Sequence, residues 1–142
     1  MPKFRCTVAI PTRELFSGEI DYAEIPGSEG SYGVLAGHEM FVGTNRPGKL
    51  ELWLNPEGTE KRCFVTYDGF AQVMDDELRV LARMGKAIED IDAAEVEGKA
   101  QALRAEIASL EQKQGDEAAE AQLETHRTKL AWYELQLAEV AK

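Results

Sequence analysis

The sequence is poor in basic residues and in cysteine, and both shortages bear on what the chain can bind. It has 16 Lys and Arg against 26 Asp and Glu, a formal net charge of −10 over 142 residues. This balance argues against nucleic-acid binding, where cations must neutralise phosphates, and against direct adhesion to an anionic lipid surface. The two cysteines, Cys6 and Cys63, lie far apart. They indicate reduced, core-packed thiols in a cytosolic chain, because small secreted folds are usually richer in cysteine.

Long apolar runs are also missing from the sequence. No run is long enough to span a bilayer, so we expect no direct insertion into a membrane. The first ten residues, MPKFRCTVAI, lack both the continuous apolar segment and the cleavage site of a signal peptide. The chain is nevertheless 44% hydrophobic, which is enough to bury a core of its own.

Motifs for phosphate binding, metal binding and catalysis are absent as well. The glycine-rich stretch Gly27–Gly37 lacks the Gly-Lys-Ser/Thr ending that grips phosphates and magnesium. The only histidines, His38 and His126, are far apart, and no Cys or His pair has zinc spacing. No serine or cysteine has the signature of a catalytic triad. We therefore expect no catalysis by this chain alone, no metal and no cofactor.

From Phe4 to Met84, apolar residues recur with the period of two that is typical of β-strands. Several runs carry apolar residues on both faces, which predicts strands that are covered on both sides. Turn signals separate the runs by about seven to twelve residues, as in antiparallel meanders. The pattern predicts an antiparallel β-sandwich, or a barrel, over residues 1–88. The alternating runs begin at Phe4, Leu50, Cys63 and Leu78, and the turn signals are RPG (46–48), NPEG (55–58), DG (68–69) and DDE (75–77).

After Asp90 the apolar residues recur at alternating steps of four and three, which predicts two helices that each carry a narrow apolar seam. A short turn at Gly115 between them predicts an antiparallel helical hairpin over residues 89–142. On the second seam, His126 would be either a half-buried packing residue or a pH sensor. The helices are expected over 92–113 and 116–141, with N-caps at Asp92 and Asp116 and a capping box completed by Glu95.

The stretch GSEGSYGVLAGHE, residues 27–39, has four glycines in thirteen residues and does not fit either period. Glycines permit positive φ and close backbone approach. We expect a long irregular loop here, and such loops in a compact domain usually have a function. With phosphate and metal binding set aside, the remaining interpretation is a surface that docks on another protein.

Four segments resemble, in order and spacing, the epsilon subunit of F-type ATP synthase, and the resemblance covers nearly the whole chain. Its most specific part is the run from Pro26 to His38. The resemblance implies a ten-stranded β-sandwich with a C-terminal helical hairpin, in a non-catalytic subunit that sits with gamma at the foot of the central stalk. The hairpin of this family either folds against the sandwich or extends beside gamma and obstructs rotation. The four segments are ELFSGE (14–19), IPGSEGSYGVLAGHE (25–39), RPGKL (46–50) and LRVLA (78–82).

The resemblance also implies partners, namely the gamma subunit, the c ring and, transiently, the catalytic alpha and beta subunits. By matching position, Ser31 and His38 would lie where the family contacts the c ring. Many members carry glutamate at the place of Ser31, so this chain would rely on Glu29, His38, Glu39 or backbone contacts. Loss of one ion pair at an interface rim costs about 0–1 kcal/mol, so docking survives it. The docking residues expected for the c ring and gamma are Glu29, Ser31, Tyr32, His38 and Glu39.

Two departures from the family pattern concern the hairpin. Some members bind ATP there through Ile/Leu-Asp-x-x-Arg-Ala, but in IDAAEV (91–96) Glu95 replaces the arginine and would repel phosphate. ATP binding is therefore not expected, although weak nucleotide contacts are conceivable at Asp92, Arg104 and Arg127. In other members, cations on the second helix meet an acidic segment of the beta subunit. Here Arg127 and Lys129 are the only candidate latch cations of residues 116–141, against six acids, and this net charge of −4 predicts weak electrostatic latching.

The sequence thus predicts a rotor subunit of a proton-translocating ATP synthase, with the hairpin as a regulator of ATP hydrolysis. We expect it on the cytoplasmic side of the bacterial plasma membrane, held there through the complex. Two alternatives remain, a stand-alone protein-binding β domain with a coiled coil and a small ATP-binding sensor. Neither alternative accounts for the run from Pro26 to His38.

Overall fold

A computed structural model describes residues 2–113 and 115–142. The chain divides into two compact units, Met1–Asp90 and Ile91–Lys142, where the sequence placed the division between residues 88 and 89. The first unit holds two five-stranded sheets and the second holds two α-helices. The predicted fold class, a β-sandwich followed by a two-helix hairpin, is confirmed.

The ten strands of the first unit form two sheets that differ in strand order. The strands are β1 (Phe4–Ile10), β2 (Arg13–Ile20), β3 (Tyr22–Gly27), β4 (Gly30–Val34), β5 (Phe41–Thr44), β6 (Gly48–Trp53), β7 (Lys61–Tyr67), β8 (Phe70–Met74), β9 (Glu77–Leu81) and β10 (Met84–Ala87). Sheet A has the order β2-β1-β9-β8-β5, and sheet B has the order β10-β7-β6-β3-β4. A short 3-10 turn, Ile88–Asp90, follows the last strand.

One strand pair departs from the antiparallel expectation. β1 and β9 run parallel, with Cys6 opposite Leu78 and Val8 opposite Val80, whereas every other pairing of named strands is antiparallel in the described residues. The period of two shows which side chains share a face but not the direction of the neighbouring strand, so the sequence could not reveal this pairing.

The core of the sandwich is built from alternate residues of both sheets. Cys6 and Val8 of sheet A and Ile25, Leu50 and Phe64 of sheet B are completely buried. Burying one such aliphatic or aromatic side chain stabilises the fold by about 1.5–3 kcal/mol. Because this cluster lies wholly within residues 1–90, the sandwich has a hydrophobic core of its own.

The predicted turns at DG and DDE are two-residue hairpin turns with left-handed backbone. Asp68 and Gly69 have φ of 56° and 108°, and Asp75 and Asp76 have φ of 53° and 58°. Positive φ at both central residues is characteristic of the mirror-image turns whose twist matches that of the flanking strands. At Gly69 no other residue fits, because a Cβ there would lie 1.9 Å from the carbonyl oxygen of Leu81.

The prediction of a long irregular loop at residues 27–39 was wrong. Gly27 ends β3 and Gly30 begins β4, so Ser28 and Glu29 form a two-residue turn. Apart from this turn, only the connection of residues 35–40 lies outside strands between β3 and β5. The alternation was hidden because Ser31 and Gly33, the outward positions of β4, carry almost no side chain. The inward positions, Tyr32 and Val34, do follow the period of two.

The second unit consists of α1 (Ala93–Glu111) and α2 (Glu117–Val140), where the sequence suggested 92–113 and 116–141. Asp92 caps α1 and Asp116 caps α2, each through a side-chain oxygen that accepts backbone N–H groups. Within the described residues, neither helix is long and apolar enough to cross a membrane. A small cluster joins the two seams and contains Leu103, Ile107 and Leu123, with Leu110, Leu130 and Tyr133 packed against it.

Three details of the hairpin differ from the sequence prediction or extend it. The capping box is incomplete, because the Glu95 carboxylate pairs with Lys99 at 3.0 Å. Lys99, four residues further along α1, offers the Glu95 carboxylate a charge-assisted hydrogen bond, which is stronger than a bond to the neutral backbone N–H of Asp92. His126 is half-buried, and its Nε2 lies 3.1 Å from Oε2 of Glu106 on the facing helix. Gln136, a polar residue on neither predicted seam, is buried.

Candidate docking surface

The β3–β4 turn is held against the edge strand of the opposite sheet. The Ser28 amide donates to the Thr44 carbonyl oxygen at 3.0 Å, and the hydroxyls of the same two residues lie 2.9 Å apart. Gly27 also forms a bridge with Asn45. These contacts join sheet B to sheet A at one corner of the sandwich. They leave Glu29 exposed at the tip.

An open groove of about 680 Å³ lies between β4 and β5, lined by the turn and by three aromatic rings. The Tyr32 and Phe41 rings pack edge to face at 5.3 Å, and the His38 ring meets Phe41 at 6.1 Å. The Tyr32 hydroxyl is buried without a hydrogen-bond partner among the described residues, and burial raises the pKa of Tyr32. The hydroxyl therefore stays protonated and can donate to a group that enters from outside.

The loop that carries His38 is fixed from two sides. The Gly37 amide donates to Oδ1 of Asp76 at 2.8 Å, and the His38 amide donates to the Leu35 carbonyl oxygen at 3.2 Å. Nδ1 of His38 lies 2.8 Å from the Glu39 carbonyl oxygen and must donate, because a carbonyl only accepts. In the neutral ring, Nε2 is then a hydrogen-bond acceptor for a donor on a partner.

The five predicted docking residues occupy this corner of the sandwich but do not form one cluster. Tyr32 and His38 line the groove with Glu29. Ser31 is exposed on the opposite face of β4, and Glu39 is exposed in the loop that leads to β5. Their arrangement offers acceptors and an aromatic wall but no cation. In the part of the chain that the structure describes, no three His, Cys, Asp or Glu side chains are grouped to hold a metal ion.

The sequence reasoning missed an apolar patch on the outer face of sheet A. Val42 is 65% exposed, and Phe70, Met74 and Leu81 are 40%, 41% and 40% exposed. The register places Val42 opposite Gln72 and Phe70 opposite Leu81, so the four residues share one face of β5, β8 and β9. We call these four residues the outer apolar patch. Gln72, Arg79 and Glu77 lie on the same face. The available signal was that these strands carry apolar residues on both faces, which predicts a cover on each side, whereas the structure leaves the outer side uncovered.

The candidate nucleotide contacts are far apart in the hairpin. Asp92 and Arg104 are separated by twelve residues of α1, which is about 18 Å at the rise of an α-helix. The Asp92 carboxylate is engaged in the helix cap, and Arg104 pairs with Glu97 at 3.1 Å. Arg127 lies in a separate groove near the helix turn, among Glu120, Glu124 and Lys113. Lys129, the second candidate latch cation, is exposed on α2.

Comparisons with known proteins agree over both units. The family model for the ATP synthase Delta/Epsilon chain, beta-sandwich domain, matches residues 3–88. The ATP synthase epsilon chain of Bradyrhizobium sp. (strain ORS 278) is 36% identical over 121 residues, which cover 82% of each chain. That of Rhodopseudomonas palustris (strain BisB18) is 37% identical over 117 residues, with 82% of each chain covered.

Solved structures extend the similarity to the three-dimensional fold. One similar chain belongs to the cryo-EM structure of Euglena gracilis mitochondrial ATP synthase, OSCP/F1/c-ring, with a TM-score of 0.67, 26% identity and coverage of 99% of this chain and 82% of that chain. Another belongs to the central stalk/c-ring structure of Tetrahymena thermophila mitochondrial ATP synthase, with a TM-score of 0.56 and coverage of 98% and 97%. At 12% identity the second match shows the fold alone.

Proposed function

Because this chain belongs to the family of ATP synthase epsilon chains and is thus a rotor-stalk subunit of ATP synthase, we propose that its sandwich joins gamma to the c ring. Catalysis belongs to other subunits of the complex. The chain contributes a rigid adaptor through which rotation and ion flow stay linked to ATP synthesis. Its association with the membrane is peripheral, through the complex, and we place it on the cytoplasmic side of a bacterial plasma membrane.

The observation that carries this proposal is the adjacency of two unlike surfaces at one end of the sandwich. The outer apolar patch presents four apolar side chains around Gln72 and the Arg79–Glu77 ion pair, which suits contact with a folded neighbour that also offers polar groups. The β3–β4 tip and the His38 loop present polar groups at the neighbouring corner. We assign the patch to gamma and the polar corner to the loops of the c ring. One domain can then hold both components at the same time.

The hairpin is proposed to act as a regulator of hydrolysis with two packings. Its own apolar cluster is small, with Leu103, Ile107 and Leu123 at its centre, so a change of packing costs little buried surface. The net charge of −4 on residues 116–141 makes any contact with an acidic segment of the beta subunit weak. The stand-alone binding module is set aside by the family assignment. An ATP-sensing role for the hairpin is not part of this proposal, because Glu95 stands at the motif arginine.

The test is reconstitution of the ATP synthase with the full chain and with a chain that ends after Asp90. Truncation at this point leaves the sandwich core intact, since the core lies within residues 1–90. We expect proton pumping to stay coupled with either chain, and ATP hydrolysis to rise when the hairpin is absent. Uncoupled pumping with the truncated chain would contradict the sandwich as the coupler. Unchanged hydrolysis would contradict only the regulatory role of the hairpin.

A further inference from the structure

Three edges of the two sheets, β2, β10 and β4, are protected to very different degrees. At the edge of sheet A, β2 carries Arg13, Glu14 and Glu19, and its pairing with β1 is interrupted by a register shift. At one edge of sheet B, β10 is only four residues long and contains Lys86. Charges, bulges and short length are the usual devices against pairing with other chains. β4, the other edge of sheet B, reads Gly-Ser-Tyr-Gly-Val and has none of the charges or bulges.

The backbone groups that β4 offers at its free edge can be identified from its pairing with β3. Pro26 lies opposite Ser31, and proline has no N–H, so this pair cannot exchange two hydrogen bonds. The Pro26 carbonyl instead accepts from the Arg46 amide at 2.9 Å, on the side away from β4. Because hydrogen-bonded and non-hydrogen-bonded pairs alternate, Tyr32 bonds to Ile25 while Ser31 and Gly33 direct their N–H and C=O groups outward.

These outward groups are accessible and unused. Ser31 and Gly33 are both exposed. No turn or loop hydrogen bond in residues 2–113 and 115–142 uses their backbone N–H or C=O. A Cβ at Gly33 would lie 2.5 Å from the Tyr22 hydroxyl, so a larger residue there would require the Tyr22 side chain to move. The edge is therefore bare in the free chain, on the same strand that presents Tyr32 to the groove.

We propose that the free edge of β4 pairs with an extended segment of another subunit of the complex, by β-strand addition through Ser31 and Gly33. This inference rests on the proposed function and specifies how part of the polar corner docks. Strand addition supplies affinity through main-chain hydrogen bonds and needs no particular side chain at Ser31.

The chemistry around β4 defines the added segment. On the outer face, Glu24 lies opposite Gly33 and Glu29 is exposed at the tip, while the Tyr22 ring lies over Gly33. Basic side chains suit this face. On the other face the added strand would border the groove that Tyr32 and Phe41 line, and apolar side chains of the added strand fit this side. The expected occupant alternates basic and apolar residues over about four positions, in register with Gly30–Val34.

The test compares S31P with S31A in binding of the full-length chain to ATP synthase depleted of this subunit. Proline at position 31 removes the outward N–H and is tolerated on edge strands. The change costs no hydrogen bond to β3, because the N–H of residue 31 does not bond to β3. Alanine removes only the hydroxyl. We expect affinity to fall about tenfold or more for S31P and to change less than about twofold for S31A. N-methylation of the Gly33 amide, introduced by semisynthesis, removes the second N–H without adding a Cβ and should act like S31P.

Hydrogen exchange on the assembled complex separates this inference from the proposed function. The Ser31 and Gly33 amides should exchange rapidly in the free chain and slowly after assembly, whereas the Tyr32 amide should be protected in both states. If S31P and the Gly33 N-methyl variant bind like the natural chain and the two amides stay unprotected, strand addition is wrong while docking stands. If the natural chain itself does not bind the depleted complex, the proposed function fails and the inference fails with it.

Discussion

Replacing Val42 by aspartate tests the outer apolar patch most directly. Val42 is 65% exposed in the free chain. Full burial of a valine side chain is worth about 1.5–3 kcal/mol, so covering this exposed part on docking contributes about 1–2 kcal/mol. An aspartate loses that contribution and leaves a carboxylate without a partner, which costs about 1–3 kcal/mol more. The docking free energy should therefore weaken by at least about 2 kcal/mol, or about thirtyfold in affinity.

The measurement is the affinity of the full-length chain for ATP synthase depleted of this subunit, together with thermal unfolding of the free chain. Because Val42 is largely exposed, V42D should change the free energy of unfolding by no more than about 1 kcal/mol. T12D is the matched control, since it adds the same charge at the exposed turn between β1 and β2, at the other edge of sheet A. Equal affinities of V42D and T12D, with both chains folded, would refute the assignment of the patch to a docking surface.

Further predictions concern the hairpin and the core. D116A should destabilise the hairpin by about 0.5–2 kcal/mol in thermal melts followed by circular dichroism, because the side chain accepts from two backbone amides of α2, whereas D116N should largely keep the cap. The double change R127A and K129A should leave inhibition of ATP hydrolysis, and its dependence on salt, unchanged; inhibition that is lost with these cations would disprove weak latching. Calorimetry should detect no binding of Mg-ATP to the natural chain, and a clear heat of binding would show that Glu95 does not block the site. Burial raises the pKa of the Cys6 thiol to about 12, so alkylation at mildly alkaline pH should spare Cys6 until the chain unfolds.

The sequence was most informative where a local rule decides the structure. The runs from Phe4 and Leu78 became strands because alternate residues enter a core from one sheet. Asp92 and Asp116 cap the two helices because a carboxylate there accepts orphan backbone amides. These features depend on neighbours a few residues away.

The sequence was least informative where a distant or absent partner decides the structure. The parallel pairing of β1 with β9 joins residues about seventy positions apart, and no local pattern encodes its direction. The β3–β4 hairpin was read as a loop because Ser31 and Gly33 conceal the alternation. The exposure of Val42 and Phe70 was not predicted either, since an apolar residue on a strand has the same chemistry whether its own fold covers it or leaves it exposed.

Charges, bulges and short strands protect parts of the sandwich surface against pairing with other chains. The parts without them are candidate contact surfaces. A net charge of −10 keeps the free chain soluble, and the charged edge β2 resists unspecific pairing. β4 and β5 carry no charged residue, and the outer apolar patch begins on β5 at Val42. A free chain that exposed both a bare strand edge and an apolar face without a use for them would risk self-association. Docking of this chain in a rotor assembly, as proposed, would cover both surfaces at the same time.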